Sequence, residues 1–346
     1  MGGVKTRGVN EGETTSPAGN EAKKPDWADL FNDGIADFWN GEVHWNASMA
    51  AYTTFKVGGP AEAIVFPRGR NELSLLIQGL RKINVPWHLL GRGSNVLVAD
   101  QGVKGVVIVL GRDYGAIEVD HQYADGALVR VEAGCGLGRL VNWTARHGLS
   151  GLEFAVGIPG SVGGAIVMNA GAWQKEMKDV LALVTVMNGR GCCSVKKTEE
   201  MHFAYRTWGE KKGIIALEGY FRLQSDDPET IRGRCVHYQE LRKERQPHMV
   251  ASGGSFFKNP CKGKSAGQLI DEAGLKGVSV GAAMVSPVHA NFIVNTGGAT
   301  AGEIVLLMEL VQAKVKEQSG VWLEPEVRML GMECVMPSLR SLAVEE

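Results

Sequence analysis

The apolar positions of this chain follow two different periods, one helical and one typical of strands. A helix is predicted where apolar residues recur at i, i+3, i+4 and i+7, as they do at Leu73, Leu76, Ile77 and Leu80. Asn71 precedes this set and is the expected N-cap. Strands are predicted in the apolar or alternating runs KGVVIVL, LVRVEAG, VLALVTVMNGRG and GIIALEGYFRL. Because the two kinds of element interleave, the expected fold class is α+β.

The character of the pattern changes after about residue 225. Asp227 is a predicted N-cap with Pro228 at the first helical position, and a charged helix follows it. Thr300 and Glu303 form a capping-box pattern that opens a second helix with one apolar face. The expected organisation is a disordered N-terminal tail over 1–40, a glycine-rich domain over 41–225 with subdomains of about 41–116 and 117–225, a smaller α/β domain over 226–333, and a tail over 334–346.

Composition narrows the class of protein. The 346 residues are 44% hydrophobic and 22% charged with a formal net charge of −1, so no basic excess indicates a nucleic-acid surface. The six cysteines show no zinc-ligand spacing, and Cys192 and Cys193 are neighbours, which predicts free thiols in a reducing cytosol and no metal site. No apolar run approaches the ~20 residues of a membrane span. We expect a cytoplasmic monomer, since no coiled-coil pattern or exposed apolar stripe is present.

Glycine is concentrated in four segments, FKVGGPA, LGRGSNVLVAD, VEAGCGLG and VGIPGSVGGAIVMNAGAW. Successive backbone N–H groups in glycine-permitted conformations form concave nests that bind phosphate oxygens. Tight turns in a β-rich domain are the alternative for any single segment. Four clusters together favour a nucleotide cofactor. GRGSNV lacks the last glycine of G-x-G-x-x-G, and no cluster continues into a P-loop Lys-Ser/Thr, so neither of those two nucleotide sites is predicted.

The stretch SGGSFFKNP places Ser255 between two glycines and two phenylalanines. Its hydroxyl could attack a substrate, donate a proton or close a turn by bonding to its own backbone. The second glycine of the G-x-S-x-G nucleophile motif is missing, and no histidine is an evident base for it. The residues alone leave proton donation and a structural turn open.

Seven segments in this order, from about residue 45 to 332, resemble the UDP-N-acetylenolpyruvoylglucosamine reductase (MurB) family: YTTFKVGGPA, LGRGSNVLV, GIPGSVGGAIVMNAGA, GSFFKNP, AGLKG, HANFIVN and LEPEVRMLG. The resemblance implies an FAD-binding domain of the PCMH/VAO type in two subdomains, followed by a C-terminal α/β substrate-binding domain. It also implies non-covalent FAD, NADPH as co-substrate, and reduction of UDP-N-acetylglucosamine enolpyruvate to UDP-N-acetylmuramate in peptidoglycan precursor synthesis.

Three positions match the family's catalytic residues. Ser255 matches the proton donor, and Arg206 in FAYR matches the arginine near the substrate carboxylate. Glu326 in LEPEVR matches the catalytic glutamate and is preferred to Glu324, although strand alternation puts both on one face. Arg328 is expected on that face too, as an ion-pair partner of Glu326. TWGEKK after Arg206 departs from the family pattern.

The resemblance also assigns binding residues. The expected FAD contacts are Thr54, Gly91, Gly93, Ser94, Asn95, Gly157, Ile158, Pro159, Gly160, Ser161, Gly163, Gly164, Asn169 and Ala170. The expected substrate contacts are Tyr205, Asn259, Arg245, Lys264 and His289. Arg92 stands where the family commonly has glycine, so its side chain must point outward or touch FAD. The short segment between Arg206 and Ser255 indicates the subtype without the extra tyrosine loop.

Two alternatives belong to other functional classes. A different flavoenzyme on the same scaffold would explain the glycine-rich segments but not the set of Ser255, Glu326 and Arg206. A non-catalytic nucleotide-binding module predicts degraded catalytic positions, yet all three are present.

Overall fold

The computed structural model describes residues 25–32 and 34–332. Six α-helices occur in this part of the chain: α1 (Arg70–Lys82), α2 (Leu137–Arg146), α3 (Val162–Val167), α4 (Pro228–Arg245), α5 (Ala266–Glu272) and α6 (Ala301–Ser319). The strands are β1 (Glu42–Ser48), β2 (Pro60–Phe66), β3 (Trp87–Leu90), β4 (Val96–Val98), β5 (Val103–Val109), β6 (Ile117–Tyr123), β7 (Gly126–Glu132), β8 (Leu149–Ser150), β9 (Gly171–Ala172), β10 (Lys175–Glu176), β11 (Leu181–Met187), β12 (Cys193–Lys197), β13 (Ile215–Ser225), β14 (Ala251–Ser252), β15 (Ser279–Val280), β16 (Ala283–Val285), β17 (Ile293–Asn295) and β18 (Arg328–Leu330). No helix of the described residues is long and apolar enough to cross a bilayer.

Three main sheets organise the molecule, and the α+β prediction is confirmed. The first has the order β1-β2-β5-β3, with parallel pairing of β5 to both β2 and β3. The second is antiparallel in the order β12-β11-β13-β7-β6, with β8 added beside β13. The third is antiparallel in the order β14-β17-β16-β15. Helix α1 packs on the first sheet, α2 and α3 on the second, and α5 and α6 on the third, so each sheet buries its apolar face under helices.

The predicted elements are present, with one capping correction. The helix around residue 71 begins at Arg70 after Gly69, which makes no side-chain cap, so Asn71 is not the N-cap. The other two caps are confirmed: Asp227 accepts from the Thr230 N–H, and Thr300 and Glu303 exchange both capping-box hydrogen bonds. Five cysteines within the described residues are free thiols; Cys334 lies outside them.

The structure differs from the expected organisation in two places. Residues 25–32 and 34–40, expected to be disordered, include two short 3-10 helices (Asp26–Phe31 and Ala36–Phe38), and Trp27 and Phe31 pack against the core between α1 and the first sheet. These tryptophan and phenylalanine side chains supply the apolar area that the polar start of the chain lacks. The remainder of the expected tails, 1–24 and 334–346, lies outside the described residues.

Helix α4 lies with the N-terminal part, not with the C-terminal domain in which the prediction from 226 put it. Its Arg234 forms ion pairs with Glu153 and Asp226, and Ile231 is its buried residue. Strand β18, near the other end of the C-terminal part, pairs in parallel with β4. The C-terminal domain is therefore joined to the N-terminal part by strand pairing as well as by the connecting helix.

Candidate active site

A cavity of about 300 Å³ lies where the C-terminal domain meets the N-terminal part. It brings together six of the predicted side chains, which come from four separate segments of the chain. These are Tyr205, Arg206, Ser255, Asn259, His289 and Glu326. A polar, partly enclosed cavity lined by converging charged and hydroxyl groups is the usual form of an active site.

Ser255 is held on a short extended segment that follows β14. Phe256 and Lys258 exchange backbone hydrogen bonds of 2.8 Å with the segment at Glu324 and Glu326, which runs antiparallel to them. Gly254 has φ +80°, a left-handed conformation that glycine adopts without strain, and a Cβ there would meet no atom within 4 Å. Gly254 therefore allows the turn before Ser255 and leaves open space beside it, whereas Gly253 is packed against the Phe55 ring, which a Cβ there would overlap.

Asn291 fixes this segment from the opposite side. It is 4% exposed, and its side chain accepts from the Phe257 N–H (2.9 Å) and donates to the Phe257 carbonyl (2.8 Å). Its own carbonyl accepts from the Phe256 N–H. Sequence reasoning did not single out Asn291, although it lies inside the quoted motif HANFIVN. An amide that replaces a missing strand partner leaves no periodic signal in the sequence.

Glu326 and Arg206 form a close ion pair inside the cavity. Arg206 Nε lies 2.7 Å from Glu326 Oε1, but the two groups are not aligned for a hydrogen bond. Burial raises the pKa of Glu326, while the charges of Arg206 and Lys258 offset part of that effect. The expected pair between Glu326 and Arg328 is wrong, because Glu326 turns towards Arg206 instead. The Arg206 guanidinium consequently keeps donors that a carboxylate of a bound molecule can use.

Arg206 is presented at the tip of a tight turn. Ala204 and Thr207 form an isolated antiparallel bridge around it, and Arg206 itself has φ +61°. Its guanidinium lies 4.9 Å from the centre of the Tyr205 ring. The departure TWGEKK has a structural reason: Trp208 is 5% exposed in the core of the second sheet, so it anchors the turn. A strained non-glycine backbone held by a buried anchor is a feature of functional loops.

Tyr205, Asn259 and His289 form the outer part of the cavity. The Asn259 N–H donates to the Tyr205 hydroxyl (3.3 Å), which links the turn of Arg206 to the serine segment. His289 Nδ1 accepts from the Asn291 N–H at 3.2 Å, so its ring proton resides on Nε2. Burial lowers the pKa of His289 and favours the neutral ring.

Two predicted substrate contacts lie elsewhere, and other lining residues were missed. Arg245, at the end of α4, lies over the Trp173 ring, and Lys264 pairs with Glu272 on the surface; neither lines the cavity. The lining residues that sequence reasoning did not name as contacts include Ser265, Gln268, Asp271, Lys276 and Asn291. Lys276 lies in the quoted motif AGLKG, which was its available signal.

The predicted cofactor loops converge beside this cavity. Ser94 donates to the Pro159 carbonyl (3.0 Å), and Leu137 donates to the Gly160 carbonyl (3.0 Å). Three loops, 91–95, 134–138 and 157–161, are therefore packed together; we call them the glycine cradle. Among the described residues, no hydrogen bond is donated by the backbone N–H groups of residues 91–95, nor by those of Gly157, Gly160 and Ser161. A concave set of free N–H donors fits the diphosphate of a dinucleotide.

Several predicted cofactor residues make hydrogen bonds within the fold. The Asn169 side chain is fully buried, donates to Glu176 and to the Ala204 carbonyl, and accepts from the Lys178 N–H. It supports the turn that carries Arg206. The Gly163 N–H donates to the Ala133 carbonyl, and a Cβ at Gly163 would crowd the Ala133 side chain. The Ala170 N–H is likewise bonded inside the fold, to the Ala165 carbonyl. These three positions shape the cradle without offering free donors.

The cradle and the cavity are directly joined. Asn95 donates through Nδ2 to the Glu326 carbonyl (3.1 Å), and its own carbonyl accepts from the Arg328 N–H. Thr54 Oγ1 donates to the Ser252 carbonyl at 2.6 Å, and the Thr54 N–H donates to the Gly93 carbonyl. A group bound in the cradle would therefore adjoin the segments that carry Ser255 and Glu326.

Comparisons with known proteins agree with this arrangement. The family model described as "FAD binding domain" matches residues 61–194, and "UDP-N-acetylenolpyruvoylglucosamine reductase, C-terminal domain" matches residues 246–330. With the free N–H groups of the cradle, these matches define the class of protein: an FAD-containing oxidoreductase with a separate C-terminal domain.

The family follows from full-length relatives. The chain is 41% identical to the UDP-N-acetylenolpyruvoylglucosamine reductase of Desulfosudis oleivorans over 87% of this chain and 98% of that protein. It is 39% identical to the Bacillus subtilis protein of the same name over 84% and 95% of the two chains. The crystal structure of the Thermus caldophilus reductase matches with a TM-score of 0.72 at 39% identity, covering 85% of this chain and all of that one. The chain belongs to the UDP-N-acetylenolpyruvoylglucosamine reductase family.

Proposed function

We propose that this protein reduces UDP-N-acetylglucosamine enolpyruvate to UDP-N-acetylmuramate, with NADPH as the source of hydride and FAD as its carrier. The reaction is a step of peptidoglycan precursor synthesis, and we expect it to take place in the cytoplasm. The observation that carries the proposal is the meeting of Ser255, Glu326 and Arg206 in one cavity beside the glycine cradle.

The cradle residues would hold the FAD diphosphate through their free N–H groups, chiefly those of residues 91–95 with Gly157, Gly160 and Ser161. When bound there, FAD would supply the hydride that the terminal carbon of the enolpyruvyl group receives. The side chains of this chain then have two tasks: to stabilise negative charge on the substrate and to protonate the neighbouring carbon.

Arg206 and Glu326 perform the first task in this proposal. The guanidinium binds the substrate carboxylate, and its charge offsets the negative charge that develops on the enolate. The raised pKa of Glu326 increases its protonated fraction, so the carboxyl group can donate a hydrogen bond to an enolate oxygen. Because burial is the main cause of the raised pKa of Glu326, a bound substrate that covers this carboxyl group would raise its pKa further.

Ser255 performs the second task. Its hydroxyl lines the cavity, and among the described residues no hydrogen bond occupies it. A serine hydroxyl is a weak acid, but the substrate carbanion is basic enough to take its proton, and solvent re-protonates the serine. Asn259, Tyr205 and His289 would contact the nucleotide part of the substrate from the outer cavity.

The proposal is tested by following the flavin. Purified protein should carry FAD, its visible absorbance should bleach with NADPH in the absence of oxygen, and UDP-N-acetylglucosamine enolpyruvate should restore it. If the absorbance were restored by a small ketone but not by the enolpyruvate substrate, the result would favour another flavoenzyme. Protein that takes up no FAD would contradict every flavin-based function.

A further inference from the structure

Arg92 lies in the middle of the glycine cradle, and its own backbone conformation does not explain its presence there. It stands between Gly91 and Gly93, and its side chain is exposed. No ion pair or hydrogen bond involves Arg92 in the part of the chain that the structure covers. An arginine in this position places a full positive charge beside a row of N–H donors that already repel cations.

The exposed side chain reaches from its own loop to Gly136, in the neighbouring loop of the cradle. Arg92 Nη1 lies 2.5 Å from the place that a Cβ on Gly136 would occupy, so glycine at 136 makes room for the guanidinium. Gly136 is the N-cap of α2 and has φ −64°, which any residue adopts. A side chain at 136 would therefore displace the Arg92 guanidinium without straining the backbone.

The groups around the Arg92 guanidinium are also mainly positive. The first turn of α2 contains no acidic residue, and Arg139 lies in it with its guanidinium donating to the Gly115 carbonyl. The carboxylate of Glu132, at the end of β7, accepts from the Ala116 N–H. The positive end of the helix, two guanidinium groups and the free N–H groups of the cradle all favour an anion between the three loops.

We infer that Arg92 binds the diphosphate of FAD from the side opposite the N–H groups of residues 91–95, and that it sets the preference of the site for the dinucleotide over phosphate-free flavin. The inference rests on the proposed function, since it takes FAD as the occupant of the cradle. A planar guanidinium suits two phosphate oxygens at once, which a backbone donor cannot contact together.

The test measures flavin binding and not turnover. FAD released from diluted full-length holoprotein is quantified by its fluorescence, and riboflavin is titrated into protein stripped of flavin. We expect Arg92→Gln to weaken FAD binding about 10-fold and riboflavin binding less than about 2-fold. Arg92→Lys should be intermediate. Arg146→Gln, at the exposed far end of α2, is the matched control and should bind both flavins like the wild type.

A second variant moves the guanidinium without removing it. Gly136→Ala should weaken FAD binding in the wild-type background but have little further effect when combined with Arg92→Gln, because its methyl group acts through Arg92. Additive losses, unchanged FAD binding by Arg92→Gln, or equal losses for FAD and riboflavin would each overturn the inference. Wild-type protein without FAD would overturn the proposed function as well.

Discussion

Asn291→Ala is expected to destabilise the fold and to loosen the segment that carries Ser255. The side chain bonds to both the N–H and the carbonyl of Phe257, at 2.9 and 2.8 Å, in a place where Asn291 is 4% and Phe257 1% exposed. Alanine would remove both partners and admit little water. The segment that carries Ser255 would then keep its pairing with residues 324–326 and the bond from the Phe256 N–H to the carbonyl of residue 291, but Phe257 would lose both of its side-chain partners.

The size of the effect follows from the two groups left without partners. A buried backbone donor or acceptor without a partner costs about 1–3 kcal/mol, so the expected loss in free energy of unfolding for the two groups is about 2–6 kcal/mol. Ser255 lies two residues from Phe257, so the substrate half-reaction should slow as well, while reduction of the flavin by NADPH should not. A loss of this size exceeds the typical effect of a point mutation.

Urea unfolding followed by tryptophan fluorescence measures the stability, with Asn142→Ala as control. Asn142 is exposed on α2 and makes no side-chain hydrogen bond among the described residues, so its change should stay within about 0.5 kcal/mol. If Asn291→Ala were as stable as that control, the clamp on Phe257 would not hold the serine segment, and the account of how Ser255 is positioned would be refuted.

Three further changes test other parts of the structure. In wild-type protein the rate of the substrate half-reaction should fall as pH rises through the raised pKa of Glu326, because the protonated form is the active one; a pH profile of Glu326→Gln that kept this limb would contradict that role. Thr300→Ala should lower the free energy of unfolding by about 1 kcal/mol through loss of the α6 cap, and an unchanged urea midpoint would argue against it. Gly93→Ala should abolish FAD retention, because φ is +61° and a Cβ would overlap the Tyr52 carbonyl; yellow protein with normal FAD content would show the loop to be more tolerant.

The sequence predicted the helices and strands better than it predicted the contacts between side chains. Periodic apolar runs are produced by burial against a sheet, so the positions of α1, β5 and β13 could be read from them. The ion-pair partner of Glu326 could not be predicted in this way. Strand alternation indicated Arg328, whereas the partner is Arg206, from a turn distant in sequence. Long-range approach of this kind leaves no local pattern.

The same limit explains the cofactor loops. Glycine clusters indicated a phosphate site, and the free N–H groups of residues 91–95 agree with that expectation. Which glycines are there for the ligand and which for packing depends on neighbours from other segments, as the contact of Gly163 with Ala133 illustrates. Asn169 illustrates the same limit, because a buried amide with three internal partners has the same sequence signature as a ligand contact.

Stopped-flow measurement of the two half-reactions of Ser255→Ala tests whether Ser255 delivers the proton. We expect wild-type rates of flavin reduction by NADPH and a loss of at least about 100-fold in re-oxidation by UDP-N-acetylglucosamine enolpyruvate, the scale expected for removal of a general acid. Equal slowing of both half-reactions, or re-oxidation at the wild-type rate, would contradict it.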